Sequence, residues 1–266
     1  MRVVKHQVRE PFCYLYPIAD AHLGSKDFGE ESESKLRGYL DQVEKTPEAR
    51  ITLVGDIMNT ATLTSKGSPH EQRLDLQAQL DLAFKLFKPV RGKIIAASDG
   101  WHETALQKYC GYSPTITLCN LLGIEYLGYS GVIVLGVGRH SRPNEKNGWG
   151  PNCTYVIYQH HTTGGGATPG GKINRVDRLR LLVANADVYL GAHNHALGAM
   201  PVTTHIIDER TGAVEERRQL LVDCGGYVQW NGSYAEAMQL PPLKRGSARI
   251  RFEGGGGRTK DVHVDL

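Results

Sequence analysis

The chain has 266 residues, 40% of them apolar and 22% charged, with a net charge of +3 at neutral pH. Those values are ordinary for a globular protein and exclude a disordered or fibrous chain, while the length suits one α/β domain over residues 1–266. The slight excess of base is compatible with a phosphate-bearing substrate but is far from a dedicated nucleic-acid arm.

The amino terminus, Met1 to His6, lacks the apolar core of a signal peptide. Phe12 to Ala19 reads as a first strand that carries Asp20 and His22 onto the loop beyond it. Leu36, Leu40 and Val43 then recur at helical spacing over 35–44, and Ile51 to Val54 forms a β-branched and aliphatic run ending at Gly55-Asp56. This strand, helix and strand make a βαβ unit, with Asp56 at the carboxyl end of a buried strand, where open α/β sheets bind their ligands.

Ser68-Pro69-His70-Glu71 carries the pattern of a helix start, with a capping serine, a first-turn proline and a third-position glutamate, and predicts a helix running to Pro89. Lys93 to Ala97 is the next strand and leads to Ser98-Asp99-Gly100-Trp101-His102-Glu103. Ser113-Pro114 opens a further helix that Gly123 closes. Short strands follow over 124–127 and 132–135, then a polar, mobile loop over 138–152.

Thr154 to Gln159 is a strand ending at His160-His161; alternation along a strand leaves one of the two for a site, and His161 is preferred. A glycine-rich loop leads to a helix over 173–184, and a strand over 188–190 delivers His193-Asn194-His195. Two hairpins, 203–222 and 248–266, complete a second sheet. The uncharged apolar run Tyr126 to Gly138 is too short and rich in glycine to span a bilayer, so no membrane partner and a cytoplasmic location are expected. Five cysteines without Cys-x-x-Cys spacing point to buried reduced thiols.

Carboxylates and imidazoles gathered at several strand ends suit a binuclear centre, because hard and borderline divalent ions take oxygen and imidazole donors from rigid elements. The order Asp20-x-His22, Gly55-Asp56, Gly100-x-His102-Glu103, His161 and His193-x-His195 resembles the calcineurin-like metallophosphoesterase family over roughly residues 14–240. The glycine-rich segment after His161 looks most like its phage- and prophage-associated members, which implies a bacterial or phage-infected host.

The resemblance implies a four-layer α/β sandwich of two mixed sheets flanked by helices. It also implies two divalent ions, Mn first and Fe, Zn or Ni as alternatives, with Asp20, His22, Asp56 and His195 at one and Asp56, His161 and His193 at the other. His102 matches the histidine that stabilises or protonates the departing oxygen. Asn59 stands where the family usually orients that histidine with an aspartate. The family pattern Gly-Asn-His-Glu is broken by Trp101, since an indole cannot ligate as an amide oxygen does, which leaves filling of the second site open. Asp99 is a candidate replacement ligand, and Trp101 is either packing or a stacking face for a base.

Lys172 and Arg175 are candidate phosphate contacts, with solvated charges on a flexible loop as the alternative. Lys244, Arg245, Arg249 and Arg251 form a basic cluster, read as a solvated face with nucleic-acid contact as the alternative. The function expected is phosphodiester or phosphomonoester hydrolysis, with the diester of nucleic acid or a nucleotide preferred. A non-catalytic nucleic-acid-binding relative and a small-nucleotide pyrophosphatase are the alternatives.

Overall fold

The computed structural model describes residues 1–63, 69–141, 149–164, 166, 168–237, 239, 241–255 and 260–266. In chain order the elements are β1 (Arg2–Val8), β2 (Phe12–Ile18), α1 (Glu30–Lys45), β3 (Ala49–Val54), α2 (Leu76–Phe87), β4 (Ile94–Ser98), α3 (Trp101–Cys110) and α4 (Pro114–Leu122). Next come β5 (Glu125–Tyr126), β6 (Ser130–Val137), β7 (His140–Ser141), β8 (Trp149–Gly150), β9 (Cys153–His160), α5 (Pro169–Asp177) and β10 (Val188–Gly191). The chain closes with β11 (Leu197–Ile207), β12 (Val214–Gly226), α6 (Tyr234–Ala237), β13 (Gly246–Ser247), β14 (Arg249–Glu253) and β15 (Val262–Asp265).

One seven-stranded sheet runs β1-β6-β9-β10-β12-β11 with β13 also paired to β12, and the other runs β15-β14-β2-β3-β4-β5. Both are mixed. β2, β3, β4 and β5 are parallel neighbours with β14 antiparallel at their side, and β9, β10 and β12 are parallel between antiparallel partners β6 and β11. The apolar side chains sort into three clusters that mark the layers. Leu36, Leu40, Leu80 and Phe87 of α1 and α2 pack on the outer face of β2 and β3. Leu15, Val54, Ile133, Ile157 and Val222 fill the space between the sheets. Val176 of α5 covers Val132, Tyr158 and Tyr189 on the far side. Because β2, β3, β9 and β10 are apolar on both faces, each needs cover on both sides, and helices outside two facing sheets supply it.

Several boundaries differ from the sequence expectation. β1 was not anticipated, since its charged and largely exposed residues show no buried run; it adds to β6 in parallel register at the sheet edge. The two carboxyl-terminal hairpins do not share a sheet: β11 and β12 join the seven-stranded one, whereas β14 and β15 join β2. α2 begins at Leu76, where the Asp75 side chain accepts from Ala78 N at 2.8 Å, and Pro69–Glu71 is a separate short turn. Ser68 lies outside the described residues, as do 142–148 of the polar loop and 256–259 of the last hairpin turn. α3 was also unforeseen, and α5 is shorter than expected, starting at Pro169 after a Thr168 cap.

Ser113 Oγ caps α4 through Ile116 N at 3.3 Å, and Gly123 ends it with a positive φ of 69°, both as the sequence suggests. All five cysteines are free; Cys110 is exposed and the others are buried. No helix among the described residues is long and apolar enough to cross a membrane. The basic residues near the carboxyl terminus are paired: Arg245 with Glu31, Arg249 with Asp265 at 2.7 Å, Arg251 with Glu253 at 2.6 Å, and Lys244 donating to Leu266 O at 2.7 Å.

Candidate metal centre

Five strands, three from one sheet and two from the other, end at the same place. β2 delivers Asp20 and His22, β3 delivers Asp56, β4 delivers Trp101 and His102, β9 delivers His161, and β10 delivers His193 and His195. The two sheets are tied together just beneath. Thr52 Oγ1 donates to Gln159 Oε1, and Gln159 Nε2 donates to Leu53 O and Ser98 Oγ, each at 3.0 Å. Since Gln159 stands two residues before His161, this buried network sets the height of β9 against β3 and β4.

The loops reach the centre through unusual backbone. Of the seven non-glycine residues with positive φ among those described, five are Asp20, His22, Asp56, His193 and His195, with φ between 48° and 77°. Left-handed conformations of non-glycine residues are uncommon and cost free energy, and they concentrate where surrounding structure fixes a functional geometry. Gly55, itself at φ 82°, lies so close to the β4 loop that a Cβ there would stand 2.6 Å from Gly100 N and Cα. A Cβ at Gly100 would overlap Asp56 N and Oδ1. Glycine at both positions lets the loops after β3 and β4 touch. Glu103 then locks them, its Oε2 accepting from Asp56 N and Gly100 N at 3.0 and 3.1 Å and its Oε1 from Met58 N at 3.0 Å.

Each central carboxylate uses one oxygen to hold a neighbouring loop and turns the other toward imidazoles. Asp20 Oδ2 accepts from His193 N and Asp56 Oδ1 from His102 N, both at 2.8 Å. Asp20 Oδ1 faces three ring nitrogens, Nε2 of His195, His22 and His161, at 3.5, 3.7 and 3.8 Å. Asp56 Oδ2 lies 3.0 Å from His161 Nε2. His22 Nε2 and His195 Nε2 face each other at 3.2 Å.

Burial acts on all of these groups. It lowers His195 to about 4 and also lowers His193 and His102. Burial also opposes the charge on His161, but the Asp56 and Asp20 carboxylates outweigh it and raise that ring to about 10. The surrounding imidazoles, His195 then His161 for Asp20 and His161 then His102 for Asp56, overcome burial to hold Asp20 low and Asp56 well below the ordinary carboxylate range.

Among the described residues, three groups of side chains each bring their donor atoms within 4.8 Å of one another: Asp20, His22 and His195; His22, Asp56 and His102; and Asp56, His161 and His193. Such donors suit a divalent cation. Asp20 Oδ1 is buried with no hydrogen-bond partner despite the three rings around it, and two imidazole nitrogens at hydrogen-bond distance can share only one proton, whereas both can ligate one ion. His161 has the orientation usual for a metal-binding histidine, since Nδ1 donates to Val54 O at 2.8 Å and leaves Nε2 toward the centre. His160 joins none of the groups.

Other expected residues fall elsewhere. Asp99 Oδ2 accepts from the Tyr126 hydroxyl, and Asp99 belongs to no donor group among the described residues; the short β5 strand beside β4 supplies that partner. Asn59 sets His102 through its backbone carbonyl, which accepts from Nδ1, while its side-chain amide leans toward Gln72 Oε1 at 3.5 Å. Lys172 is buried and donates to Asn194 O at 2.8 Å, so its charge stabilises a loop and is not offered to a phosphate. Arg175 lies against Gly164, its guanidinium 3.2 Å from where a Cβ would stand. Sequence reasoning missed Gln72, Gln79 and Asp223, which hold these loops from behind and carry no motif.

The chain matches no known protein family's sequence profile and no curated protein.

Proposed function

We propose that the chain is a metal-dependent phosphoesterase of the calcineurin-like type, cleaving a phosphodiester of a nucleic acid or nucleotide. The observation that carries the reading is the convergence of Asp20, His22, Asp56, His161, His193 and His195, five of them in left-handed backbone, around a buried carboxylate oxygen without a partner. The order of those residues along the chain, which resembles that family, supports the choice of reaction.

Asp20, His22, His195 and Asp56 would hold one divalent ion, and Asp56, His161 and His193 a second, with Asp56 common to both. When bound, such ions make water nucleophilic near neutral pH and neutralise phosphate charge. The protein's own groups do the rest. A carbonyl can only accept, so His102 carries its proton on Nδ1 toward Asn59 and presents a bare Nε2. Burial keeps that ring neutral, so Nε2 takes up a proton at the centre and returns it to the departing oxygen. Glu103, through three backbone N–H groups, holds Asp56 and His102 in that relation.

The test is hydrolysis of bis(p-nitrophenyl) phosphate with added Mn²⁺, beside an Asp56→Asn control purified identically. Turnover that vanishes in the control supports the reading. Equal background rates in both proteins, with metal bound, count against a diesterase and favour a binding relative, a reading that the indole in place of a metal-binding amide at Trp101 also suggests.

A further inference from the structure

Trp101 is held between the two halves of the centre. The next residue, His102, donates its backbone N–H to Asp56 Oδ1 at 2.8 Å. The indole Nε1 donates to the carbonyl of Thr162 at 2.8 Å, and Thr162 follows His161, whose Nε2 is 3.0 Å from Asp56 Oδ2. Thr162 Oγ1 in turn donates to Ala192 O at 2.7 Å, the residue before His193. The ring is thereby bonded to the loop after β9, and that loop and the backbone of the next residue are bonded in turn to the loops after β10 and β3. Asp56, His161 and Thr162 are buried, yet Trp101 is 40% exposed. With its N–H already bonded, the residue still keeps a substantial surface open to solvent.

A second exposed aromatic stands on the adjoining turn. Asp99 N donates to Gly128 O at 2.9 Å, and the next residue, Tyr129, is 60% exposed. The turns after parallel strands β4 and β5 therefore bring two open aromatic residues to the same end of the sheet as the centre. A fixed ring loses little freedom when a ligand covers it, and a base offers a π-face of matching size.

We infer that Trp101 is a stacking subsite for the nucleobase attached to a phosphate held at the centre. This rests on the phosphoesterase reading and assigns its substrate class. The base lies on the indole, the phosphate lies over Asp56, and affinity for a nucleotide exceeds that for its sugar phosphate by the stacking contribution.

The test is calorimetric titration of the Mn²⁺-loaded full chain with AMP, ribose phosphate and inorganic phosphate. The wild type binds AMP about ten-fold tighter than ribose phosphate, in keeping with measured base stacking. Trp101→Leu abolishes the ratio of AMP to ribose phosphate affinity, whatever it does to the binding of inorganic phosphate, whereas Trp101→Phe keeps most of that ratio. AMP also quenches tryptophan emission in the wild type and not in Trp101→Phe, a readout that does not depend on the leucine variant folding. Equal affinity of the wild type for AMP and ribose phosphate overturns the subsite while leaving the phosphoesterase reading intact. If neither AMP nor inorganic phosphate binds the loaded protein, that reading falls and the subsite with it.

Discussion

Lys172 Nζ donates a 2.8 Å hydrogen bond to the backbone carbonyl of Asn194, the residue between His193 and His195. Both histidines are in left-handed backbone, so the carbonyl between them is fixed from below by a buried ammonium. Asn194 Nδ2 leans back onto Asp223 Oδ2 at 3.3 Å and Lys172 O at 3.4 Å, closing the loop against α5 and β12. Groups that orient metal ligands typically contribute ten- to hundred-fold in metal affinity. Lys172→Met is predicted to weaken Mn²⁺ binding by about that factor, and Lys172→Arg to recover part of it. Calorimetric titration with Mn²⁺ checks this; unchanged affinity in a folded Lys172→Met protein sinks the positioning role.

The proton on His161 links metal binding to pH. Burial disfavours its charge, but Asp56 and Asp20 raise it from an ordinary 6.5 to about 10. A raised group stabilises the fold fully below 6.5 and loses that contribution as pH climbs through about 10. The metal-free protein is therefore predicted to lose thermal stability from neutral pH toward pH 10. Mn²⁺ must displace the His161 proton, so its affinity rises over that same range and binding releases protons. Titrations at neutral pH in buffers of different ionisation enthalpy measure the release; heats independent of buffer refute it.

The strand ends were legible because each closes a short apolar run with a polar or ionisable residue, as Val54-Gly55-Asp56 and Leu190-Gly191-Ala192-His193 do. What the sequence hid was decided by contacts distant in the chain. The helix start at Ser68-Pro69-Glu71 is complete by pattern, yet Arg73 N donates to Gly24 O at 2.7 Å and Gln72 Oε1 accepts from Ala61 N at 2.9 Å. Those bonds hold Gln72 and Arg73 out of a helix, and Asp75 becomes the cap. Lys172 looked like a phosphate contact because spacing along a glycine-rich loop does not say whether an ammonium faces in or out. Asn59 was expected to act through its side chain, but it is the main chain that meets His102, a contact no residue type announces.

Glu103 is buried and accepts three backbone N–H bonds across two loops. In Glu103→Gln one acceptor oxygen becomes an amide that donates, and it then opposes either Met58 N–H or the pair from Asp56 and Gly100. Leaving a buried donor without an acceptor costs about 1–3 kcal/mol. The variant is predicted to unfold at lower denaturant by about that amount and to bind Mn²⁺ more weakly, because Asp56 loses its fixed position. Chemical denaturation of the metal-free proteins checks the first part, and wild-type stability in the variant disproves it.

On the proposed reading, Trp101 takes the place of an asparagine whose side-chain oxygen would ligate the second ion. Its indole donates to Thr162 O at 2.8 Å and contributes no donor atom to the group of Asp56, His161 and His193. That group then offers three protein donors, fewer than the Asp20, His22, His195 and Asp56 set, and the second ion is expected to be the more weakly held. Trp101→Asn returns an amide oxygen to the same loop, whose backbone is already fixed by Gly100 against Asp56 and by Glu103. The loss is the bond to Thr162, worth about 1 kcal/mol. The variant is predicted to bind the second Mn²⁺ about ten-fold more tightly than the wild type, in line with one added ligand reinforcing a held loop. Metal content after gel filtration at limiting Mn²⁺ distinguishes the outcomes: a rise toward two ions per chain supports a site short of one ligand. An unchanged content in a stable variant means that the loop does not aim position 101 at the second ion, and that the indole replaces no ligand.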